Sequence, residues 1–291
     1  MRRTYNTAAG CGLALMSMPF LYVFLLLAVP VSFVIVISFW TQEFLNIDRS
    51  FTLANYHEAW TKPIYQTLMF RSLKLSLIVT GLTVLLAYPA AYAISFIAPQ
   101  KHKAMWILLI TLPFWTSYLM RIFLWKVILG FNGVINGSLM QLGLVDQPLD
   151  FILYNQVAVV ITLSHAWIPF AVLPIFVAME SIDRPLLEAA QDLGDTPFWR
   201  FLRVTLPLSM PGVVAAALIV FVPIIGDYVT PRLVGGPDGL MIANMIELQF
   251  KKANNAPLGA ALALSAMALV SMVAMVFIWL NRRHLKTPGG V

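Results

Sequence analysis

The chain has 291 residues, of which 60% are hydrophobic and 11% are charged. Soluble domains carry about 25% charged residues, so this composition excludes an ordinary soluble protein and indicates a polytopic membrane protein. The net charge of +6 is explained by membrane orientation and does not call for a nucleic-acid partner. The single cysteine, Cys11, excludes an internal disulfide and a cysteine-based metal site.

Six apolar segments follow one another along the chain, and each is long enough to cross a bilayer as a helix, which takes about 20 residues. They cover residues 16–40, 72–98, 104–129, 156–179, 208–226 and 258–280. The sequence therefore predicts an all-α membrane protein with six transmembrane helices in one domain, residues 1–291. No small-residue cleavage site follows the first segment, so we expect that segment to be retained.

Basic residues are concentrated in the short segments on one side of the predicted helices. That side carries Arg2, Arg3, Lys101, Lys103, Arg184, Arg200, Arg203, Arg282, Arg283 and Lys286. Because Lys and Arg are enriched in cytoplasmic loops, both termini are predicted to be cytoplasmic. The longer loops on the other side are mildly acidic, which fits either ordinary solvated surface or a face that attracts a cationic solute.

A few side chains within or beside the predicted helices are candidates for a translocation pathway or gate. Arg121 either extends to the membrane interface or pairs with an acid on a neighbouring helix. His165 is either a packing residue beside a proline or a pathway residue, and Trp115 belongs either to an interfacial aromatic belt or to a cation-binding box. Asp227, followed by Tyr228, either caps a helix or lies near the route of a cation.

Residues 181–207 form a polar loop between the fourth and fifth predicted helices. The loop cannot cross a bilayer, yet it carries more apolar side chains than a linker needs, namely Phe198, Trp199, Phe201 and Leu202. Ala189 and Ala190 provide a face of small residues that another molecule could approach closely. The loop therefore predicts a docking element for another protein, and not a catalytic site.

Helix signals within this loop predict two short helices. Pro185 suits the first turn of one helix, and Gly194 can end that helix in a left-handed cap. Asp195 or Thr196 can cap a second helix, and Pro197 fits its first position. The sequence therefore predicts two short helices that are separated by a glycine turn.

The same loop resembles the signature of ATP-binding-cassette importer permeases, Glu-Ala-Ala-x3-Gly-x9-Ile-x-Leu-Pro. The matching residues are Glu188, Ala189, Ala190, Gly194, Val204 in place of Ile, Leu206 and Pro207. The resemblance implies the type I importer (MetI-like) permease fold and implies that the loop couples to an ATPase subunit through Glu188, Ala189, Ala190, Gly194, Leu206 and Pro207.

Further stretches resemble the spermidine/putrescine-type permeases in particular. They include Leu112 to Arg121, Asn132 to Asn136, Ile168 to Phe170, Gly226 to Pro231 and Pro257 to Ala261. The resemblance implies a bacterial inner-membrane subunit that forms a pathway for polyamines by alternating access. It also implies a second permease subunit, identical or a sister chain and more often a sister, together with two ATPase subunits and an extracytoplasmic solute-binding protein.

This chain is expected to bind no cofactor itself. No P-loop pattern is present, so ATP and Mg²⁺ are expected in the separate ATPase subunits. The histidines lack metal-ligand spacing and no nucleophile lies beside a base, so neither a metal site nor an enzyme is predicted.

Two departures from the polyamine-type pattern leave other cargoes open. Lys126 follows Trp125 where the family has an apolar residue, and His165 stands where an aromatic residue is common. The alternatives are the same importer with an opine, an aminophosphonate or ferric iron as cargo, and an ion-coupled secondary transporter.

Overall fold

The computed structural model describes residues 2–43 and 46–285, with side chains for 16–43 and 46–283. The C-terminal residues 286–291 lie outside this description, and the cytoplasmic position of both termini stays a prediction. The helices are α1 (Arg2–Ser38), α2 (Ala54–Thr61), α3 (Pro63–Tyr92), α4 (Lys103–Thr111), α5 (Tyr118–Ile128), α6 (Val134–Gln141), α7 (Gln156–Glu180), α8 (Arg184–Asp192), α9 (Pro197–Arg200), α10 (Leu206–Ile225), α11 (Val229–Val234), α12 (Gly236–Gly239), α13 (Ile242–Lys251) and α14 (Ala256–Leu285). Two short strands, β1 (Thr41–Glu43) and β2 (Asn46–Asp48), pair as an antiparallel hairpin.

The described residues form two compact units, Met1–Lys62 with Ile246–Ser265, and Pro63–Met245 with Ala266–Val291. In the first unit the chain after α1 is fixed by Asn55, whose side-chain amide donates to the Ser38 carbonyl at 3.0 Å and to the Trp40 carbonyl at 2.6 Å. The expectation of one membrane domain over 1–291 stays a prediction.

The core of the second unit is the packing of α3, α7 and α10. The largest buried side chains in this core are aliphatic, and they include Leu75, Val79, Leu163, Val172 and Ile224. Helices in a bilayer gain little from burying apolar groups and associate through close packing, so small residues at helix contacts are important.

Five helical segments of the described chain are long and apolar enough to cross a membrane. They are Met16–Ser38, Pro63–Ile97, Gln156–Glu180, Pro197–Ile225 and Ala256–Arg283. A sixth crossing is reached if a bent pair, Gln100–Trp115 and Tyr118–Ile128, counts as one span. These segments agree with the six predicted helices except in three places, of which the first is the second helix, which begins at Pro63 and not at residue 72.

The third predicted helix, residues 104–129, is broken in the structure. The two halves are bent by 85°. A 3-10 turn over Leu112–Trp115 contains Pro113, and Thr116 and Ser117 then adopt extended backbone angles. Proline removes a backbone donor and disfavours continuation of an α-helix, which explains why the break falls here.

The fifth predicted helix begins earlier than residue 208. Helical structure runs continuously from Pro197 to Ile225, because α9 passes through a π-helical turn, Phe201–Thr205, directly into α10. The second short helix of the predicted docking element is therefore continuous with a transmembrane helix.

Gly212 lies at a close contact between α10 and α7. A Cβ atom on Gly212 would lie 2.5 Å from the Ala178 Cβ and 2.5 Å from the Pro174 carbonyl oxygen. We expect Gly212→Ala to separate the two helices and destabilise the protein by about 1–3 kcal/mol, as other overpacked sites do.

Thermal unfolding of the purified protein in detergent, followed by tryptophan fluorescence, measures this effect. Gly81→Ala is the matched control, because a Cβ atom on Gly81 in α3 would meet nothing within 4 Å. Equal midpoints for the two variants would contradict the packing role of Gly212.

Candidate functional site

The docking element predicted in residues 181–207 has the expected local structure. Pro185 lies in the first turn of α8, and Gly194 has φ +87°. The Asp195 amide donates to the Ala190 carbonyl at 3.1 Å, and the Gly194 amide donates to the Gln191 carbonyl at 2.9 Å. This pair of bonds is a Schellman cap, which requires a left-handed residue, so the predicted glycine cap is confirmed.

The second short helix is capped by Thr196, whose hydroxyl oxygen accepts from the Trp199 amide at 3.5 Å. Pro197 occupies the first helical position, as predicted. Leu206 and Pro207 of the signature lie at the start of α10, half-buried. Because proline has no amide hydrogen and crowds the preceding turn, Pro207 fits a wider π-helical turn immediately before it.

Several large apolar side chains of the predicted docking element are exposed. Leu193 is 88% exposed, and Leu186, Phe198 and Trp199 are also exposed. Of the Glu188-Ala189-Ala190 sequence, Ala190 is buried, and Glu188 and Ala189 are exposed. An apolar surface rimmed by polar residues is typical of a protein interaction site.

Two polar contacts join the helices of this element to each other. The Arg200 Nη1 atom donates to the Gln191 Oε1 atom at 3.0 Å, and the Arg203 Nη1 atom donates to the Asp195 Oδ1 atom at 2.8 Å. The end of α8 is therefore attached to α9 and to the π-helical turn that leads into α10.

A second site is a cavity of about 400 Å³ at the break between α4 and α5, called here the Asp227 cavity. Its lining residues are Phe114, Thr116, Tyr118, Arg121, Ala166, Trp167, Phe170, Pro223, Gly226, Asp227, Tyr228 and Val229. One carboxylate, one guanidinium and several aromatic rings share this cavity.

Asp227 is held by three hydrogen bonds. Its Oδ1 atom accepts from the amides of Val229 at 2.9 Å and Thr230 at 3.2 Å, which caps the start of α11. Its Oδ2 atom accepts from the Tyr118 hydroxyl at 2.6 Å. The carboxylate therefore caps a helix and also faces the cavity, so the two sequence interpretations of Asp227 are compatible.

Arg121 is only 7% exposed and does not extend to the membrane interface. Its guanidinium donates to the Ala166 carbonyl at 3.2 Å and to the Thr116 carbonyl at 3.4 Å, whereas its Nε atom has no hydrogen-bond partner among the described residues. Among the described residues no carboxylate forms an ion pair with Arg121. In the described residues neither alternative drawn from the sequence is seen, and Arg121 instead donates two of its five N–H groups to backbone carbonyls.

The remaining predicted pathway residues are divided between the cavity and its surroundings. Tyr228 lines the cavity. His165 is exposed outside the lining, and its Nδ1 atom accepts from the Trp125 Nε1 atom at 3.1 Å. Trp115 is 79% exposed and does not line the cavity.

Several cavity residues were not selected from the sequence. Tyr118 bonds Asp227, and Phe170 lies between Phe114 and Trp167 with ring centroids 4.9 Å and 5.0 Å away. Aromatic residues are frequent throughout this chain, so composition did not distinguish these from membrane-facing rings. Pro113 was the sequence signal that could have located this cavity. A proline can break a membrane helix, and irregular backbone at membrane depth is tolerated where it is buried in protein or lines a cavity.

No group of three or more His, Cys, Asp or Glu side chains suited to a metal ion occurs within residues 2–43 and 46–285. The two candidate sites are the predicted docking element, residues 181–207, and the Asp227 cavity.

Comparisons with known proteins identify the family of this chain. The family described as binding-protein-dependent transport system inner membrane component matches residues 1–286. The spermidine/putrescine transport system permease protein PotB of Haemophilus influenzae is 36% identical over 255 residues, 87% of this chain and 88% of the relative. PotB of Escherichia coli K12 is 35% identical over 266 residues, 91% of this chain and 94% of the relative.

Solved structures share the fold. A chain of a bacterial ABC transporter involved in the import of the acidic polysaccharide alginate has a TM-score of 0.72 at 18% identity, covering 97% of this chain and 99% of that chain. An inward-facing MetNI methionine ABC transporter has a TM-score of 0.58 at 16% identity, covering 77% of this chain and 99% of that chain. The predicted type I importer permease fold is confirmed. The chain belongs to the family of binding-protein-dependent transport system inner membrane components, as a multi-pass transport subunit of the bacterial inner membrane and not as an enzyme.

Proposed function

We propose that this chain is the permease subunit of an ATP-driven importer and forms a membrane pathway for polyamines such as putrescine and spermidine. The observation that carries this proposal is the 36% identity to a spermidine/putrescine permease over nearly the full length of both chains.

The chemistry of the Asp227 cavity supports a cationic cargo. A protonated amine is bound well by a carboxylate together with the faces of aromatic rings. Asp227 supplies the carboxylate, and Trp167, Phe170 and Tyr228 supply rings in the same cavity. The buried Arg121 charge repels a cation, which would keep an ammonium group on the Asp227 side of the cavity.

The partners follow from the same assignment. The family is binding-protein-dependent, which supports an extracytoplasmic solute-binding protein as the source of cargo. A PotC homolog of Mycoplasma pneumoniae is 39% identical over 69 residues, 24% of this chain, which supports a sister permease as the second membrane subunit. Two ATPase subunits would hold ATP and Mg²⁺ and drive alternating access, and one of them would dock on the predicted docking element around Gly194.

Uptake of labelled putrescine and spermidine tests this proposal. Cells that lack their own polyamine importers would express this chain with the neighbouring subunits of its operon. We expect ATP-dependent uptake that disappears when the ATPase subunit carries an inactivated nucleotide site.

The outcomes separate the alternatives. Uptake that does not depend on the ATPase would indicate an ion-coupled transporter. No uptake by an assembled complex would exclude polyamines as the cargo, and competition with an opine, an aminophosphonate or ferric iron would then identify another one.

A further inference from the structure

A cluster of polar and aromatic contacts lies at the start of α8, opposite the end that carries Gly194. The Arg184 Nη2 atom donates to the Ser95 carbonyl at 2.8 Å, and its Cζ atom lies 4.9 Å from the centre of the Phe96 ring. The same Nη2 atom is 4.0 Å from the Glu180 Oε1 atom, which accepts from the Lys103 Nζ atom at 2.6 Å. These five residues are called the Arg184 junction.

The junction brings four helical elements together around Arg184 and Glu180. Ser95 and Phe96 belong to the π-helical turn Ala93–Ile97, which continues α3. Lys103 begins α4, Glu180 ends α7 and Arg184 begins α8. A guanidinium has five donors in a fixed plane, so it can bond a carbonyl, attract a carboxylate and stack on a ring simultaneously.

The Lys103–Glu180 ion pair fixes the position of Glu180 within the junction. The Lys103 side chain is only 8% exposed, and an ammonium group removed from water requires a close partner. Glu180 is therefore held in place independently of Arg184. Arg184 itself is half-exposed, so its ion pair with Glu180 is weak, and its position depends mainly on Ser95 and Phe96.

The two ends of α8 are thus attached to different helices. Gln191 and Asp195 at its end contact Arg200 and Arg203, which lead into α10. Among the hydrogen bonds described for α8, the one from Arg184 is the only one that joins this helix to the π-helical turn that continues α3. Both attachments are at π-helical turns, Ala93–Ile97 and Phe201–Thr205, and such turns occur frequently at functional positions in helices.

A cavity of about 370 Å³ separates α8 from these turns. It is lined by Tyr92, Phe96, Ile97, Arg184, Leu187, Glu188, Arg200 and Thr205. Apart from Ala190, no residue of α8 is buried, so apolar packing does little to hold α8 in position. The polar contacts at its two ends therefore determine which helices follow when α8 moves.

We propose that Arg184 is a positioning residue that holds the start of α8 against the π-helical turn at the end of α3, so that this turn follows the movement of α8. This inference rests on the proposed function, because the movement of α8 is the one imposed by the ATPase subunit. When Arg184 is removed, α8 keeps its connections to α7 and α10 but loses its hydrogen bond to the end of α3. Helix α4 stays joined to α7 through Lys103 and Glu180.

Spin-label distances measure this coupling without any cargo. Leu85 on α3 and Asp192 on α8 are exposed, and each is replaced by cysteine in a Cys11→Ser chain assembled with its partner subunits. We expect one narrow Leu85–Asp192 distance distribution with and without a non-hydrolysable ATP analogue. In Arg184→Ala we expect the distribution to broaden or shift when the analogue binds, and in Arg184→Lys to be intermediate.

Transport provides the second readout in the same complexes. We expect Arg184→Ala to lower polyamine uptake about tenfold, the scale of one lost hydrogen bond to a charged group, whereas ATP hydrolysis is kept. Arg282→Ala is the matched control, because Arg282 also lies over a ring, 5.2 Å from the centre of Trp279, at the far end of α14. Its distances and uptake should be unchanged.

The outcomes for the two proposals are distinct. An unchanged, narrow distribution in Arg184→Ala overturns the role of Arg184, even when uptake by the parent complex upholds the proposed function. A broadened distribution supports the role of Arg184, even when the parent complex takes up no polyamine and the proposed cargo fails. Loss of ATP hydrolysis together with uptake in Arg184→Ala would indicate failed docking and also overturns this proposal.

Discussion

Replacement of Gly194 by tryptophan is expected to leave the protein folded and assembled in the membrane, but to uncouple ATP hydrolysis from uptake. The backbone at Gly194 is left-handed, with φ +87°, and a Cβ atom there would meet nothing within 4 Å. The folding cost is thus limited to backbone strain, about 1–2 kcal/mol. The indole would instead project from the exposed apolar surface beside Leu193, where the ATPase is proposed to dock.

Two comparison variants separate strain from steric block at this position. Gly194→Ala introduces the same strain with only a methyl group, so we expect most of the uptake to remain. Gly143→Trp is the matched control for bulk, because Gly143 also has a positive φ, +66°, and open space around its Cβ position. Gly143 lies after α6, far along the chain from the docking element.

The measurements are ATP hydrolysis and labelled putrescine uptake by the same reconstituted complexes. We expect Gly194→Trp to lose more than about tenfold in uptake, since a misplaced indole costs well over the 1.4 kcal/mol that a tenfold change represents. Coupled transport at the normal rate by Gly194→Trp would refute the docking role. An equal loss of uptake in Gly143→Trp would show that a bulky side chain at any strained glycine lowers uptake, and it would also contradict the docking role.

The docking element was predictable because its determinants are local. A Schellman cap depends on residues within one turn of Gly194, and the Thr196 cap depends on the next three residues. The apolar spans were predictable for a related reason, since the bilayer demands a continuous apolar helix whatever its neighbours are. The break at Pro113 was readable in principle, but a proline in a membrane helix often produces only a kink.

The cavity and the Arg184 junction depend on contacts that the sequence does not encode locally. Tyr118 and Asp227 are 109 residues apart, and no periodicity relates them. Arg184 bonds the backbone carbonyl of Ser95 in a π-helical turn, and any residue type supplies a carbonyl. In the sequence alone, Lys103 and Arg184 are only two of the positive charges that orient the chain, because their partners are brought close only when the helices pack.

Asp227→Asn is expected to keep the fold of the Asp227 cavity and to weaken uptake of polyamines. Asparagine caps helices as well as aspartate, so its amide oxygen can still accept from the amides of Val229 and Thr230. The Tyr118 hydroxyl can accept from the new amide group where it previously donated to the carboxylate. The change therefore removes a negative charge from the cavity and little else.

The size of the effect follows from the lost charged contact. A hydrogen bond to a charged group contributes about 1.5–3 kcal/mol, which corresponds to roughly a tenfold to hundredfold rise in the KM for putrescine uptake. ATP hydrolysis should be kept, because α8 lies in a different part of the chain from this cavity. Initial uptake rates over a range of putrescine concentrations measure the change.

Two controls make the outcome specific to the carboxylate. Asp238→Asn removes an exposed acid in α12 that does not line the cavity, so its KM should be unchanged. Tyr118→Phe removes one hydrogen bond to Asp227 but keeps the negative charge, and we expect a smaller rise in KM than in Asp227→Asn. If Asp227→Asn takes up putrescine with an unaltered KM, the carboxylate serves the cap of α11 alone, and the cation must pass elsewhere.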